Sequence, residues 1–141
     1  MRILLFFLSA ILLFSGGLAE SVPEEVMTIP EDRFAATILE IGSNFSEYEG
    51  KTLRLTGYVA PLLGEEGAQF CVMRDYNCCG GTDLRPYGFD CFWEGDLPEI
   101  DSWVSVTGVI GQHERSSGYS YLLLTLTDLE PAQEGSRVVY G

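Results

Sequence analysis

A change in hydrophobic period at Gly50 constrains the fold of this 141-residue chain more than any other feature. Beyond it, apolar and polar residues alternate in short segments, which is typical of strands that bury one face. The segments are 52–59, 68–75, 87–93, 103–110 and 119–126. Gly57 and Gly108 lie inside two of them, as glycines do where a strand bulges or bends around a small barrel. The pattern predicts five strongly coiled strands.

One helix is expected before the strands. Thr28 and Glu31 have the spacing of a capping box, and Pro30 suits a first helical turn. Apolar residues follow at helical spacing, which predicts a helix from Glu31 to Ile41. One helix and five strands indicate a mainly β fold: a five-stranded, partly open barrel of the oligonucleotide/oligosaccharide-binding (OB-like) type. A small open β-sandwich is the alternative.

The N-terminus has the pattern of a secretory signal peptide. A positive residue and an apolar run are followed by small residues up to Ala19, after which cleavage is predicted. We assign residues 1–19 to a signal peptide, 20–27 to an acidic tether and 28–141 to the barrel domain. An exported protein is expected, periplasmic or extracellular, or else tethered to the membrane by an uncleaved N-terminal segment. Because Glu20 rather than a cysteine follows the cleavage point, no lipid anchor is expected.

Charge narrows the range of ligands. The chain carries 21 Asp and Glu against 8 Lys and Arg, a formal net charge of −13 at pH 7. Binding to nucleic acid depends on Lys and Arg at the phosphates, so no nucleic-acid ligand is expected. Metal cations or a basic partner face would be attracted instead. His113, in a predicted polar hairpin loop, and Asp90, in an acidic stretch, are interpreted as surface residues, and no catalytic residue is assigned.

Four cysteines remain to be explained: Cys71, Cys78, Cys79 and Cys91. An even number in an exported chain favours disulfides. Cys71 and Cys91 are candidates for a bond between neighbouring strands. Cys78 and Cys79 are adjacent and can bond to each other only through a strained ring, and pairings that exchange partners among the four remain open.

A metal site is the competing interpretation of the double cysteine. Gly80 and Gly81 permit unusual backbone angles, so both sulfur atoms can turn toward a common point. Cys78 and Cys79, with Asp83 as an oxygen ligand, would suit zinc or another thiophilic ion such as copper(I), and Cys71 or Cys91 is an optional third sulfur ligand. This site is compatible with a Cys71–Cys91 bond. Thiol–disulfide exchange by the double cysteine is a third interpretation.

Several landmarks resemble a known family. Segment 31–59 is similar to the opening of the soluble C-terminal domain of YcgQ-like subunits of two-component membrane permease complexes. The later landmarks are Arg74, Cys78-Cys79, Asp83, Pro86, Gly88 and the segment 103–108, WVSVTG. The resemblance implies a double-cysteine barrel domain with a membrane permease or another envelope protein as partner. It favours the metal interpretation, because the double cysteine recurs in the family without the flanking pair.

Together these patterns favour a non-enzymatic extracytoplasmic binding module whose double-cysteine loop binds a metal ion or stabilises a contact with a partner. A thiol-redox protein that uses Cys78 and Cys79 is one alternative. A structural adaptor held together by disulfides is the other.

Overall fold

The computed structural model describes Gly17 and residues 23–140. Apart from Gly17, the predicted signal peptide (1–19) and the first residues of the predicted tether lie outside the described residues. The elements are β1 (Val26–Thr28), a 3-10 turn (Glu31–Arg33), α1 (Phe34–Ser43), α2 (Phe45–Tyr48), β2 (Thr52–Pro61), β3 (Phe70–Asn77), β4 (Arg85–Phe92), β5 (Trp103–Glu114), β6 (Ser120–Pro131) and β7 (Val138–Tyr140). No helix in the described part of the chain has the length and apolar character needed to span a membrane.

Five of the seven strands close into a ring. They pair in the order β2, β5, β6, β4 and β3, and β2 also pairs with β3. All neighbours in the ring are antiparallel except β4 and β6, which are parallel. β1 and β7 extend the sheet in parallel, on β2 and β3 respectively. The predicted mainly β fold, with five OB-like strands behind one N-terminal helix, is confirmed.

The helix and the inner faces of the strands bury one common core. Helix α1 contributes Phe34, Ala35, Ile38 and Ile41, which are buried on one of its faces. Strand side chains that are almost completely buried join them in one cluster, among them Leu53, Leu55, Val59, Val72, Phe89, Cys91, Val106, Ile110 and Leu124. The two hydrophobic periods in the sequence therefore converge on a single interior.

The N-terminal boundary differs from the prediction. Val26–Thr28 is a strand that pairs with β2, so Val26 and Met27 do not belong to the tether predicted for 20–27. Since Thr28 is held in extended backbone by this pairing, the predicted capping box does not form. A 3-10 turn, Glu31–Arg33, leads into α1 without a side-chain cap, and the helical segment ends at Ser43, two residues later than predicted. Pairing with a distant strand overrides the local signal here.

Gly57 and Gly108 lie where neighbouring strands approach closely. A Cβ atom at Gly57 would be 2.5 Å from the carbonyl oxygen of Met73, and one at Gly108 would be 2.7 Å from that of Thr125. The register of β5 against β6 also shifts next to Gly108, which is a β-bulge. A side chain at either position would force the strands apart, which explains the glycines inside otherwise regular strand patterns.

Arg74, on the inner face of β3, ties distant segments together. Its Nε donates to the carbonyl oxygen of Thr56 at 3.0 Å, and its Nη1 donates to that of Ser136 at 3.1 Å. Nη1 is also 3.1 Å from Oε1 of Glu31, and the guanidinium lies 5.1 Å from the centre of the Trp103 ring. This landmark arginine therefore joins β2, the segment before β7 and the start of the helical region.

Replacement of Arg74 by methionine should lower the free energy of unfolding by about 2 kcal/mol, because the carbonyl oxygens of Thr56 and Ser136 lose a donor that is itself buried. Urea denaturation measures the loss. Arg54→Met is the matched control, since Arg54 pairs with Glu130 at the surface, where a pair contributes less than about 1 kcal/mol. Equal losses in the two variants would contradict the role given to Arg74.

Candidate functional site

The double cysteine occupies an exposed turn between β3 and β4. Cys78 and Cys79 directly follow Asn77, the last residue of β3, and both are exposed. Asn77 shapes this turn. Its Oδ1 accepts hydrogen bonds from the amides of Cys79 (3.2 Å) and Gly80 (2.9 Å), and its Nδ2 donates to the carbonyl of Gly81 (2.6 Å). Gly80 has a φ of 71°, in the left-handed region that glycine adopts readily.

The two sulfur atoms converge in this turn. Cys78 Sγ and Cys79 Sγ are 2.8 Å apart. Cys78 and Asp83 line the same hollow of about 230 Å³, together with Arg85 and two tyrosines. Oδ2 of Asp83 is 3.5 Å from Nη2 of Arg85, in a pair that is largely exposed. All three residues predicted as metal ligands therefore lie in one turn.

The charge balance of the turn depends on the two thiols. The pKa of Cys79 is raised by its hydrogen bond with Cys78 and by electrostatic repulsion from the same group. The charge of Asp83 raises this pKa further. A second thiolate beside the first is therefore unfavourable unless a cation compensates for it. Within residues 23–140, no three His, Cys, Asp or Glu side chains form a complete group able to hold a metal ion. The turn offers two sulfur atoms and a nearby carboxylate, which is not a closed cage.

Cys71 and Cys91 point to opposite faces of the sheet. Cys71 lies opposite Asp90 across the β3–β4 pair, whereas Cys91 lies opposite Phe70. Opposed residues share a face and successive residues alternate between faces. Cys91 belongs to the hydrophobic core, and Cys71 faces outward. All four cysteines are free thiols in the structure, and the register gives no support to the predicted Cys71–Cys91 disulfide.

A buried polar cluster lies beside Cys71 on the outer face of the ring. Asp90 is only 3% exposed and accepts two hydrogen bonds from Arg115, Nε to Oδ2 at 2.8 Å and Nη2 to Oδ1 at 2.5 Å. Nε2 of His113 is 2.6 Å from Oδ2, and the thiol of Cys71 donates to Oδ1 at 3.2 Å. We call these four residues the Asp90 cluster.

The interpretation of Asp90 and His113 as surface residues is wrong. β5 continues to Glu114, so His113 lies in a strand instead of a loop, and its side chain is 11% exposed. Asp90 belongs to β4 and precedes the exposed acidic loop. Because Phe89 and Cys91 point into the core, the alternation of the strand places Asp90 on the outer face. Nothing local in the sequence indicates that side chains more than twenty residues away cover that face.

Electrostatics in the cluster favour an ionised Asp90. Burial acts to raise its pKa, but hydrogen bonds from Arg115, His113 and Cys71 outweigh it, so the pKa lies below the usual range for aspartate. Burial, and then the charge of Asp90, raise the pKa of Cys71 to about 12. That thiol stays protonated near neutral pH and is not a nucleophile there. The cation that balances Asp90 is the guanidinium of Arg115.

One protein family resembles this chain in sequence, and one solved structure resembles it in part of its fold. The family model of the DUF1980 C-terminal domain matches residues 16–140. No curated protein matches in sequence. Among solved structures, the crystal structure of the mitochondrial single-stranded DNA-binding protein Rim1 from S. cerevisiae has a TM-score of 0.36 and 15% identity, over 62% of this chain and 99% of that one. A similarity at this level supports no argument about the ligand.

Replacement of Asp90 by asparagine should make the free energy of unfolding depend less on pH below about pH 4. In the wild type, the unfolded chain takes up the Asp90 proton near pH 3.9, roughly the ordinary value, and the folded chain does so at lower pH. The unfolded state therefore binds more protons in this window, and the stability from Asp90 is lost as the pH falls through it. At neutral pH the variant should be about 3 kcal/mol less stable, because Arg115 loses its counter-charge.

Urea denaturation across a pH series measures both effects. Asp96→Asn removes an exposed carboxyl group from the acidic loop and is the matched control, which should keep the wild-type slope of unfolding free energy against pH. If the slope of unfolding free energy against pH in Asp90→Asn equals that of the wild type, Asp90 is not the buried carboxylate with a lowered pKa.

Proposed function

The chain belongs to the family of the DUF1980 C-terminal domain, and on this premise we propose that it is a non-enzymatic binding module for a thiophilic metal ion. Cys78 and Cys79 are the proposed sulfur ligands, with Asp83 as an oxygen ligand. The observation that carries the proposal is the 2.8 Å approach of the two sulfur atoms on an exposed turn.

The chemistry of the turn supports this function. Zinc and other soft or borderline cations take thiolate sulfur with nitrogen or oxygen ligands. The hydrogen bond with Cys78 and the repulsion by it raise the pKa of Cys79, and a bound cation would neutralise the charge of the two thiolates. Asp83 can turn to the ion at little cost, since its pair with Arg85 is exposed and such pairs contribute less than about 1 kcal/mol. The net charge of −13 would also concentrate cations near the surface.

An incomplete set of protein ligands suits a metal ion that the protein transfers to a partner. Two sulfurs and one carboxylate leave a coordination position for water or for a side chain of a partner, whereas structural zinc sites are closed by four protein ligands. The proposed partner is a membrane permease or another envelope protein, in keeping with the YcgQ-like context. The proposed location outside the cytoplasm rests on the signal-like sequence of residues 1–19.

Thiol–disulfide exchange by the same pair is the alternative that the sulfur approach also permits. A reactive thiol usually has a lowered pKa, whereas the pKa of Cys79 is raised. Protein in which Cys78 and Cys79 equilibrate with glutathione, and which binds no metal when reduced, would favour the alternative.

Zinc titration of the reduced protein against a chromophoric chelator should show one tight site that is lost in Cys78→Ser and in Cys79→Ser. Asn77→Ala should weaken zinc binding by about tenfold or more, because the turn loses the hydrogen bonds that hold its backbone at Cys79, Gly80 and Gly81. Asn77→Asp keeps the acceptor oxygen and should bind more tightly than Asn77→Ala.

Cys71→Ser is the matched control for the titration, since Cys71 lies on the outer face of β3 away from the turn. It should bind zinc as the wild type does. Wild-type affinity in the Cys78→Ser and Cys79→Ser variants would overturn the proposed site.

A further inference from the structure

A cleft of about 470 Å³ opens beside the short β4–β6 pairing of the ring. β4 and β6 pair only through residues 90–92 and 123–125. The earlier part of β4 therefore separates from the start of β6, and α1 lies across the opening. Most of the lining is apolar or aromatic, including Ile38, Leu39, Met73, Tyr87, Tyr121 and Leu122. We call this space the seam cleft. Ligand pockets in proteins commonly have this size and character.

The Asp90 cluster supplies the charged groups of the seam cleft. Arg115 is the only Lys or Arg side chain in its lining, and its guanidinium lies 3.7 Å from the centre of the Tyr121 ring. Nε and Nη2 of Arg115 donate to Asp90, whereas Nη1 donates to no acceptor among the described residues. The buried carboxylate therefore fixes the guanidinium through Nε and Nη2 and leaves the donors of Nη1 to a ligand, although Arg115 also lines a second hollow with Glu65 and Glu114.

Nη1 of Arg115 and the buried Nδ1 of His113 are left without a partner in the cluster, and of these two side chains only Arg115 lines the cleft. Each oxygen of Asp90 already accepts two hydrogen bonds, Oδ1 from Arg115 and Cys71, and Oδ2 from Arg115 and His113. A ligand at Nη1 of Arg115 must therefore accept a hydrogen bond, and a charged acceptor forms a stronger hydrogen bond than a neutral one. A polyanion is disfavoured by the net charge of −13.

We propose that the seam cleft binds a small monoanion with an apolar body. Its carboxylate or sulfonate group accepts hydrogen bonds from Nη1 of Arg115. Its body packs between Tyr121 and the side of α1 that carries Leu39. This inference concerns a site separate from the double-cysteine turn, and it does not rest on metal binding.

A pair of fluorescent probes tests the charge requirement. Anilinonaphthalene sulfonate has two apolar ring systems and one negative charge, and N-phenylnaphthylamine has the same rings without the sulfonate. The full folded chain should bind the sulfonate probe at a single site. Its affinity for the uncharged probe should be lower by about tenfold or more, as expected for loss of a hydrogen bond to a charged group. Equal affinity for the two probes would overturn the proposal.

A pair of variants at Gly42 tests the location. Gly42 lines the cleft on α1, and a Cβ atom there meets nothing within 4 Å, so a side chain can be added without disturbing the core. Gly42→Phe should block the cleft and abolish binding of the sulfonate probe, whereas Gly42→Ala should bind it as the wild type does. Equal binding by the two variants would place the probe elsewhere and overturn the proposal.

Arg115→Gln should abolish the preference for the sulfonate over the uncharged probe. Because this change also leaves Asp90 without its cation, folding is checked by circular dichroism, and the Gly42 pair provides the test that is independent of it. A folded Arg115→Gln protein that keeps the wild-type preference would contradict the role of Arg115.

Discussion

The alternation of side chains along β3 is the constraint on which the rest of the structure depends. β3 pairs with β2 on one side and with β4 on the other, and it carries β7 at its end, so its register is fixed from several directions. A shift by one residue would exchange its two faces. Arg74 would then leave the interior, and Cys71 would leave the Asp90 cluster. The same strand ends at Asn77, which sets the geometry of the double-cysteine turn.

Local patterns in the sequence were enough to predict the architecture. The period-2 segments and the glycines inside two of them predicted the five ring strands, and the helical spacing after Glu31 predicted α1. These features depend on residues close together in the chain. The short strands β1 and β7 were missed because they depend on pairing with β2 and β3, which no local pattern reveals. The double cysteine was found because adjacency and glycines are visible in the sequence itself.

The Asp90 cluster could not be predicted, for a related reason. A lone aspartate in a strand that ends in an acidic loop looks like a solvated residue, and a histidine near a polar turn looks exposed. Their burial results from β6, which brings the end of β5 close to β4. Burying a carboxylate costs several kcal/mol unless it is paired, and Arg115 provides that pairing only in the folded ring. The register likewise places Cys71 opposite Asp90 and Cys91 opposite Phe70, which depends on pairing between strands.

Both proposed sites flank the β3–β4 hairpin, and Tyr87 lines both the hollow beside Cys78 and the seam cleft. The central claim is that the exposed double cysteine holds a thiophilic metal ion. X-ray absorption spectroscopy at the zinc edge, on the zinc-loaded full chain, tests it most directly. We expect sulfur neighbours at about 2.3 Å, as in zinc–thiolate bonds. A spectrum with only nitrogen or oxygen neighbours, at about 2.0–2.1 Å, would contradict it.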